Sequence, residues 1–534
     1  MVGVMVTRRG RARFALVASV GVAASLFAAS ASSASGTSSG GHLEVNVMNE
    51  PVRGGEPELA INAGNAQNLV FGHTVVGNTY AQNTLADSIR AVNGGLQVSH
   101  DGGKTWTADR PLHTSGYSEP ANPFWIAKGH TGATGLKLTT NGVGDPVEAS
   151  GPDGSIYAGG VITEAKPPGP APFNFTVPQG AIAVLRSTDG GRTFGPMSAV
   201  LTDLDLQGMF GRGMQPMAEG SFGVVPFDRP WMVVDQSTGA VYVSTTGHPQ
   251  RYVAVSHDKG RTWGRIEALD CDEATPPDAN HDVTCSTYPQ SGDGNIAAVH
   301  GVLAAAYIAS AAPGSTCPCA VFETSTDVGA HWNRHVVVAN LPAGSGTSVA
   351  ADPAHRGRFA VMVLPGHQVS GGLAGLPARK NVPQQVQVAT TSDSGRNWSN
   401  PTALGNEPVA HITNRPWIAY GPTGVLAALW RNAYPPYDPS SFLVPGTQNV
   451  FAAISRNNGT TFSAPVQLNS APSPPPDPTQ LAEDDVSFVA VTSQYVYGAW
   501  GDWRTTAKNP VAAGSSPPSG ELNSWIARVS ITSF

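Results

Sequence analysis

The chain has 534 residues, a formal net charge of -7, 61 glycines, 44 prolines and only 13% charged residues. It is too long for one ordinary core, and its turn-rich, charge-poor composition points to many short strands in a repeated architecture rather than to helices. No basic stripe runs along it, which excludes nucleic acid as a partner.

The first segment reads as an export signal. Arg8, Arg9, Arg11 and Arg13 form a basic start, Phe14 to Ala29 is an apolar run short for a membrane span, and Ala29-Ser30-Ala31 fits a cleavage site. We assign residues 1–31 to a signal peptide, with an uncleaved anchor as the alternative, and residues 32–41 to a flexible leader. Residues 42–534 form one domain with no internal boundary. The expected location is outside the cell, as a monomer, with no membrane contact after cleavage.

Next comes a lone strand, His42-Leu43-Glu44-Val45-Asn46-Val47. After it a two-part unit recurs. Its first part is an inner strand opening on a polar residue. In order these strands start at Glu56, Asp145, Arg229, Asp293, Gly346, Arg415 and Asp484. An apolar second strand and a third strand follow. The second part is a turn of the form S/T-x-D/N-x-G-x-x-W/F, present six times: Ser99–Trp106, Ser187–Phe194, Ser256–Trp263, Ser325–Trp332, Thr391–Trp398 and Ser455–Phe462. In such a turn the Asp or Asn accepts hydrogen bonds from the turn's own N–H groups, Gly supplies left-handed backbone, and the aromatic buries between sheets.

Four-stranded units repeated in order make an all-β β-propeller. The seventh unit ends on its third strand, Trp525–Ile531, so the leftover His42–Val47 strand is expected to complete it and close the ring. Seven blades are predicted, with six as the alternative. Strand direction puts all six turn motifs on one face. All seven inner-strand starts fall on the other, with the long connections that usually carry binding.

The turn motif resembles the Asp-box (BNR repeat) of sialidase-like propellers. The resemblance covers nearly the whole chain after the leader and implies the fold. It does not imply one activity, because the box occurs in sialidases, other glycosidases, reductases and binding proteins. Asp101, Asp189, Asp258, Asp327, Asp393 and Asn457 are read as turn formers, not as site residues.

The candidate site is therefore the ring of inner-strand starts. Glu56, Asp145 and Asp484 fall on three consecutive blades and are the candidate catalytic carboxylates, since close carboxylates raise one another's pKa and suit acid and base or nucleophile roles. Arg229 and Arg415 could hold an anionic group by forked hydrogen bonds, and Asp293, Arg431 and Arg504 join them as substrate-binding candidates. Trp430 and Tyr437 are candidate sugar platforms, whereas Trp231, Trp417 and Trp500 read as core. Sialidases use clustered arginines, a Tyr–Glu nucleophile pair and an Asp acid/base. This chain departs from their first-strand Arg-Ile-Pro context, reading Gly55-Glu56-Pro57. The implied function is a secreted sialidase-like glycoside hydrolase acting on a carbohydrate substrate at the loop-rich face. The alternatives are a non-catalytic propeller binding glycan or protein, and a lyase on the same scaffold.

No metal or cofactor motif occurs: there is no HExxH, P-loop or dinucleotide fingerprint. Asp203-Leu204-Asp205 and Asp270-Cys271-Asp272-Glu273 are oxygen-rich enough for a structural calcium, but solvated surface is the preferred reading of both. The four cysteines point to disulfides in an exported chain. Cys271 and Cys285 bracket one loop and suit a pair. Cys317 and Cys319 are awkwardly close to bond each other, so crossing to the other loop stays open.

Overall fold

The computed structural model describes residues 41–47, 53–76, 92–107, 110–111, 140–164, 179–195, 198–202, 228–246, 251–273, 283–285, 294–310, 316–342, 345–366, 385–405, 412–435, 446–475, 486–504 and 522–534. Strand β1 (His42–Asn46) comes first. Blade I is β2 (Arg53–Ile61), β3 (Leu69–Val76), β4 (Val92–Ser99) and β5 (Arg110–Pro111). Blade II is β6 (Thr140–Ser150), β7 (Ile156–Glu164), β8 (Gln179–Ser187) and β9 (Ser198–Thr202). Blade III is β10 (Asp228–Val234), β11 (Val241–Thr246), β12 (Arg251–Ser256) and β13 (Gly264–Ala268). A two-stranded hairpin follows, β14 (Cys271–Glu273) and β15 (Val283–Cys285). Blade IV is β16 (Asn295–Val299), β17 (Val302–Ala309), β18 (Cys319–Ser325) and β19 (Asn333–Val338). Blade V is β20 (Gly346–Ala351), β21 (Phe359–Leu364), β22 (Val386–Thr391) and β23 (Thr402–Leu404). Blade VI is β24 (Ile412–Tyr420), β25 (Leu426–Tyr434), β26 (Thr447–Ser455) and β27 (Val466–Gln467). Blade VII takes β28 (Ser487–Val491), β29 (Tyr495–Asp502) and β30 (Asn523–Ser530), and its fourth strand is β1.

The fold is thus a seven-bladed all-β propeller, each blade an antiparallel meander of four strands, and the six-blade alternative falls away. The ring closes as the sequence predicts. His42 stands opposite Val529 and Asn46 opposite Trp525, so the N-terminal strand covers the edge that β30 would otherwise expose. The inner strands β2, β6, β10, β16, β20, β24 and β28 contact one another in cyclic order. The only helix among the described residues is a 3-10 turn, Ile531–Ser533.

Packing between blades explains the terminal aromatic of each turn motif. Trp106 of blade I packs on Tyr497 and Ala499 of blade VII, and Trp263 of blade III on Tyr157 and Ile182 of blade II. Trp332, Trp398 and Phe462 each pack on the blade before their own, and so does Phe194. The motif acts as a staple from each blade to its predecessor, burying a large ring at the seam.

Within the first turn, Ser99 Oγ donates to Asp101 Oδ1 at 2.8 Å and accepts from Gly103 N at 2.8 Å. Asp101 also accepts from the backbone N–H of Thr105 at 2.9 Å and from its hydroxyl at 2.6 Å. The backbone N–H four residues on donates likewise to Asp189, Asp258, Asp327, Asp393 and Asn457, while the side-chain partner varies: a Thr hydroxyl donates to Asp189 and Asp258, His331 pairs with Asp327, the Asn397 amide donates to Asp393, and Asn457 itself donates to Thr461 Oγ1. Two successive left-handed residues make each turn possible. They are Gly102 and Gly103 in the first copy, but Val328 (φ 65°) precedes Gly329 in the fourth.

The cysteines resolve the open pairing. Cys317 and Cys319 are bonded to each other, with a cis Cys317–Pro318 peptide between them and Cα atoms 4.2 Å apart, so the crossed pairing left open by the sequence is not the one formed. Cys271 is disulfide-bonded too, and the β14–β15 ladder sets it opposite Cys285. The expected signal peptide, residues 1–31, and the expected leader, residues 32–41, lie outside the described residues except for Gly41. Among those described, no helix is long and apolar enough to cross a membrane.

Candidate functional site at the mouth of the ring

Four inner strands carry the same irregularity, and β2, β6 and β24 begin three to five residues before it, so these residues are not the strand starts that the sequence suggests. Glu56, Asp145, Arg229 and Arg415 all have left-handed backbone, with φ of 51°, 44°, 48° and 51°. Each directly precedes a proline: Pro57, Pro146, Pro230 and Pro416. The ladder skips there, between Gly55 and Glu58, Gly144 and Val147, Asp228 and Trp231, and Asn414 and Trp417. A non-glycine residue pays about 1–2 kcal/mol to sit in this region, and such bulges re-aim a side chain out of the ladder. Strain repeated at the same bulge of four inner strands makes these residues candidates for a site. Two acids stand on the adjacent blades I and II, and two arginines on blades III and VI.

Three of the four meet. Arg229 Nη2 lies 2.8 Å from Glu56 Oε1, and Arg229 N donates to Asp145 Oδ2 at 3.3 Å. Thr74 Oγ1, on β3, donates to the other oxygen of Glu56 at 3.2 Å. Glu56 is only 4% exposed. Two carboxylates and a guanidinium from three blades therefore converge at one mouth, while Arg415 holds the matching position on blade VI.

Below this mouth the channel is filled. Trp231, two residues after Arg229, and Trp417, two after Arg415, have ring centroids 4.7 Å apart, and Trp417 lies 5.2 Å from Phe488 of blade VII. Aromatic side chains of blades III, VI and VII thus pack against one another just beyond the bulges.

The other predicted residues go elsewhere. Trp430 is fully buried, ring-stacked with Phe451 at 6.2 Å inside blade VI, so it is core and not the sugar platform expected of it. Arg431 is 1% exposed. It donates to Ser487 Oγ at 2.6 Å and to Val486 O at 2.7 Å, tying blade VI to blade VII rather than facing a ligand. Arg504 is likewise engaged, by Asp502 at 2.9 Å and by Glu44, with its guanidinium 4.1 Å from the Trp525 ring centre. It joins β1 to β29 at the ring closure. The expected core reading of Trp500 holds. Asp293, Asp484, Tyr437 and the Asp203-Leu204-Asp205 loop lie outside the described residues. Asp272 is taken up by Arg334 at 2.6 Å and Trp332 N at 2.7 Å, and no three described His, Cys, Asp or Glu residues group to hold a metal ion.

Two acids escaped the sequence reading: Glu58 on β2 and Glu148 on β6, both buried. Burial first, then the charges of Glu148, Glu56 and Asp145, hold the Glu58 carboxyl well above the usual carboxylate range; burial does the same to Glu148. The signal was there: each is an acid inside an otherwise apolar inner strand.

The BNR/Asp-box repeat family matches residues 97–108, the first turn motif. Six such boxes on seven blades complete the assignment. The chain is a seven-bladed propeller with Asp-box turns. No curated protein matches it. Among solved structures, this Asp-box propeller is similar to the Hadza microbial sialidase Hz136 (15% identity, 90% of this chain and 66% of that one, TM-score 0.40). It is also similar to a variant of the NanB sialidase from Streptococcus pneumoniae (11%, 72% and 65%, TM-score 0.41). A third likeness is to a variant of the alpha-L-arabinofuranosidase Arb93A of Fusarium graminearum (15%, 73% and 93%, TM-score 0.37). The propeller spans just under two thirds of the length of the two sialidases. At these identities the likeness concerns the fold alone.

Proposed function

We propose that this propeller is an exported glycoside hydrolase that cleaves a glycan at the mouth of its ring. The observation that carries the reading is the meeting of Glu56 and Asp145, from adjacent blades, on Arg229. Two carboxyl groups flanking one bond are the usual machinery of glycoside hydrolysis, one protonating the leaving oxygen and the other acting as nucleophile or base. Arg229 pairs with Glu56 where substrate would enter, and with Arg415 it supplies fork-shaped donors for an anionic sugar, as a sialidase-like activity requires. Asp484, three residues before β28 in the sequence and outside the described residues, is a third acid of the proposed set. Carbohydrate is the proposed ligand, and no cofactor is required by this chemistry. The disulfides support export, because such bonds persist in oxidising compartments.

One observation favours a second reading. Glu56 is buried and already ion-paired, as it would be in a propeller that binds glycan or protein without cutting it. Assay of the purified protein against chromogenic glycosides, sialosides included, decides between them. Hydrolysis that disappears in Glu56→Gln and Asp145→Asn, with folding intact, supports the enzyme. Glycan binding without turnover of any glycoside supports the alternative, and turnover unchanged in Glu56→Gln removes Glu56 from the site.

A further inference from the structure

Glu58 and Glu148 have no part in the chemistry above, yet they sit directly behind it. Glu148 N donates to Glu58 Oε2 at 3.2 Å, which locks the two inner strands together through an acid. The Glu148 carboxyl fills the space that a side chain at Gly72 would take: a Cβ there would stand 2.2 and 2.3 Å from its two oxygens. Both oxygens are buried without a hydrogen-bond partner. The charged groups acting on Glu58 are all carboxyls, namely Glu148 on β6, Glu56 on its own strand and Asp145 on β6. From β10, Arg229 is already engaged with Glu56. From β3 the residue opposite Glu58 is Gly72, and His73 shares the side of Phe71, which packs towards blade VII. From β4 the residue paired with Gly72 is the apolar Leu96.

An ionised carboxylate buried beside other carboxyls with no cation to balance it is costly, so such a group takes up a proton instead; Glu148 has no donor at all, and Glu58 is given only the backbone N–H of Glu148. We propose that Glu58 and Glu148 are positioning residues of the mouth. They are held as neutral acids beneath it, so that its charge is that of Glu56, Asp145 and Arg229 alone, and ionisation of either raises the proton affinity of Glu56 and Asp145. Kept neutral, the pair places no like charge against Glu56 and Asp145. This charge arrangement does not depend on the hydrolase reading.

The test is carboxyl NMR of the full chain labelled with 13C at Glu Cδ, across pH 4 to 10, for the wild type, Glu148→Gln and Glu58→Gln. Two signals with protonated shifts at pH 7 are expected, one vanishing in each variant. The Glu56 signal, assigned by its loss in Glu56→Gln, is expected to show a second inflection where Glu148 ionises, and to lose it in Glu148→Gln. Glu148 and Glu58 signals with ionised shifts at pH 7 would overturn the proposal, as would a Glu56 titration identical in wild type and Glu148→Gln. The isosteric neutral Gln keeps the fold. Failure to hydrolyse any glycoside removes the hydrolase reading and leaves this result standing.

Discussion

Arg229 and Glu56 belong to blades III and I, which are not neighbours, yet their side chains meet at 2.8 Å over the start of blade II. The contact exists because both inner strands bulge at a left-handed residue before a proline, which turns the two side chains into the shared pit. With side-chain exposures of 16% and 5%, the pair is shielded from water.

Removing one partner should therefore cost more than a surface ion pair would. Arg229→Met strands a buried carboxylate and is expected to destabilise the fold by about 3 kcal/mol, and the double variant with Glu56→Gln should recover part of that loss. Urea denaturation of the two single variants and the double variant measures the coupling. Additive losses would show that the pair contributes nothing.

The boxes carry a pH dependence of known sign. The hydroxyl and backbone N–H of Thr193 hold Asp189 down at about 2, and the backbone and side-chain amides of Asn397 hold Asp393 at about 2. Folded values below the unfolded value of about 3.9 mean stability that is present above pH 4 and lost as pH falls through 2. Asn457 keeps the backbone contact in the sixth box and reverses the side-chain one, donating to Thr461 Oγ1, so Asp189→Asn should fold. Its stability deficit relative to wild type should shrink between pH 4 and pH 2 in acid-denaturation curves.

Val328 is a β-branched residue at φ 65°, where the first two boxes have glycine and the sixth has Asn458 at φ 54°. Val328→Asn should relieve backbone strain and raise stability by about 1 kcal/mol. Its half-buried side chain packs on the core of blades III and IV, so a lower melting temperature would mean that packing outweighs the strain.

Gly72 is kept small by a carboxyl group. Gly72→Ala should cost about 2 kcal/mol, from overpacking against Glu148. Combining it with Glu148→Ala should restore much of the loss, because the substitution empties the space that the new methyl needs. Equal melting temperatures for Gly72→Ala and wild type would contradict the close approach.

The sequence by itself determined the architecture. Six spaced turn motifs, seven polar-headed inner strands and a lone N-terminal strand left few ways to close a ring, because turn chemistry and strand period are local properties. It also singled out Glu56, Asp145, Arg229 and Arg415, since a charged residue before proline at a strand start is visible in one dimension. Only the tertiary structure decided what each charge faces. Arg431 and Arg504 became seams between strands, and Trp430 became core. Glu58 and Glu148, hidden in apolar runs, became the acids behind the mouth. Burial and partner choice arise from how seven sheets meet around an axis, and residues more than a hundred positions apart, such as Glu56 and Arg229, come together only there.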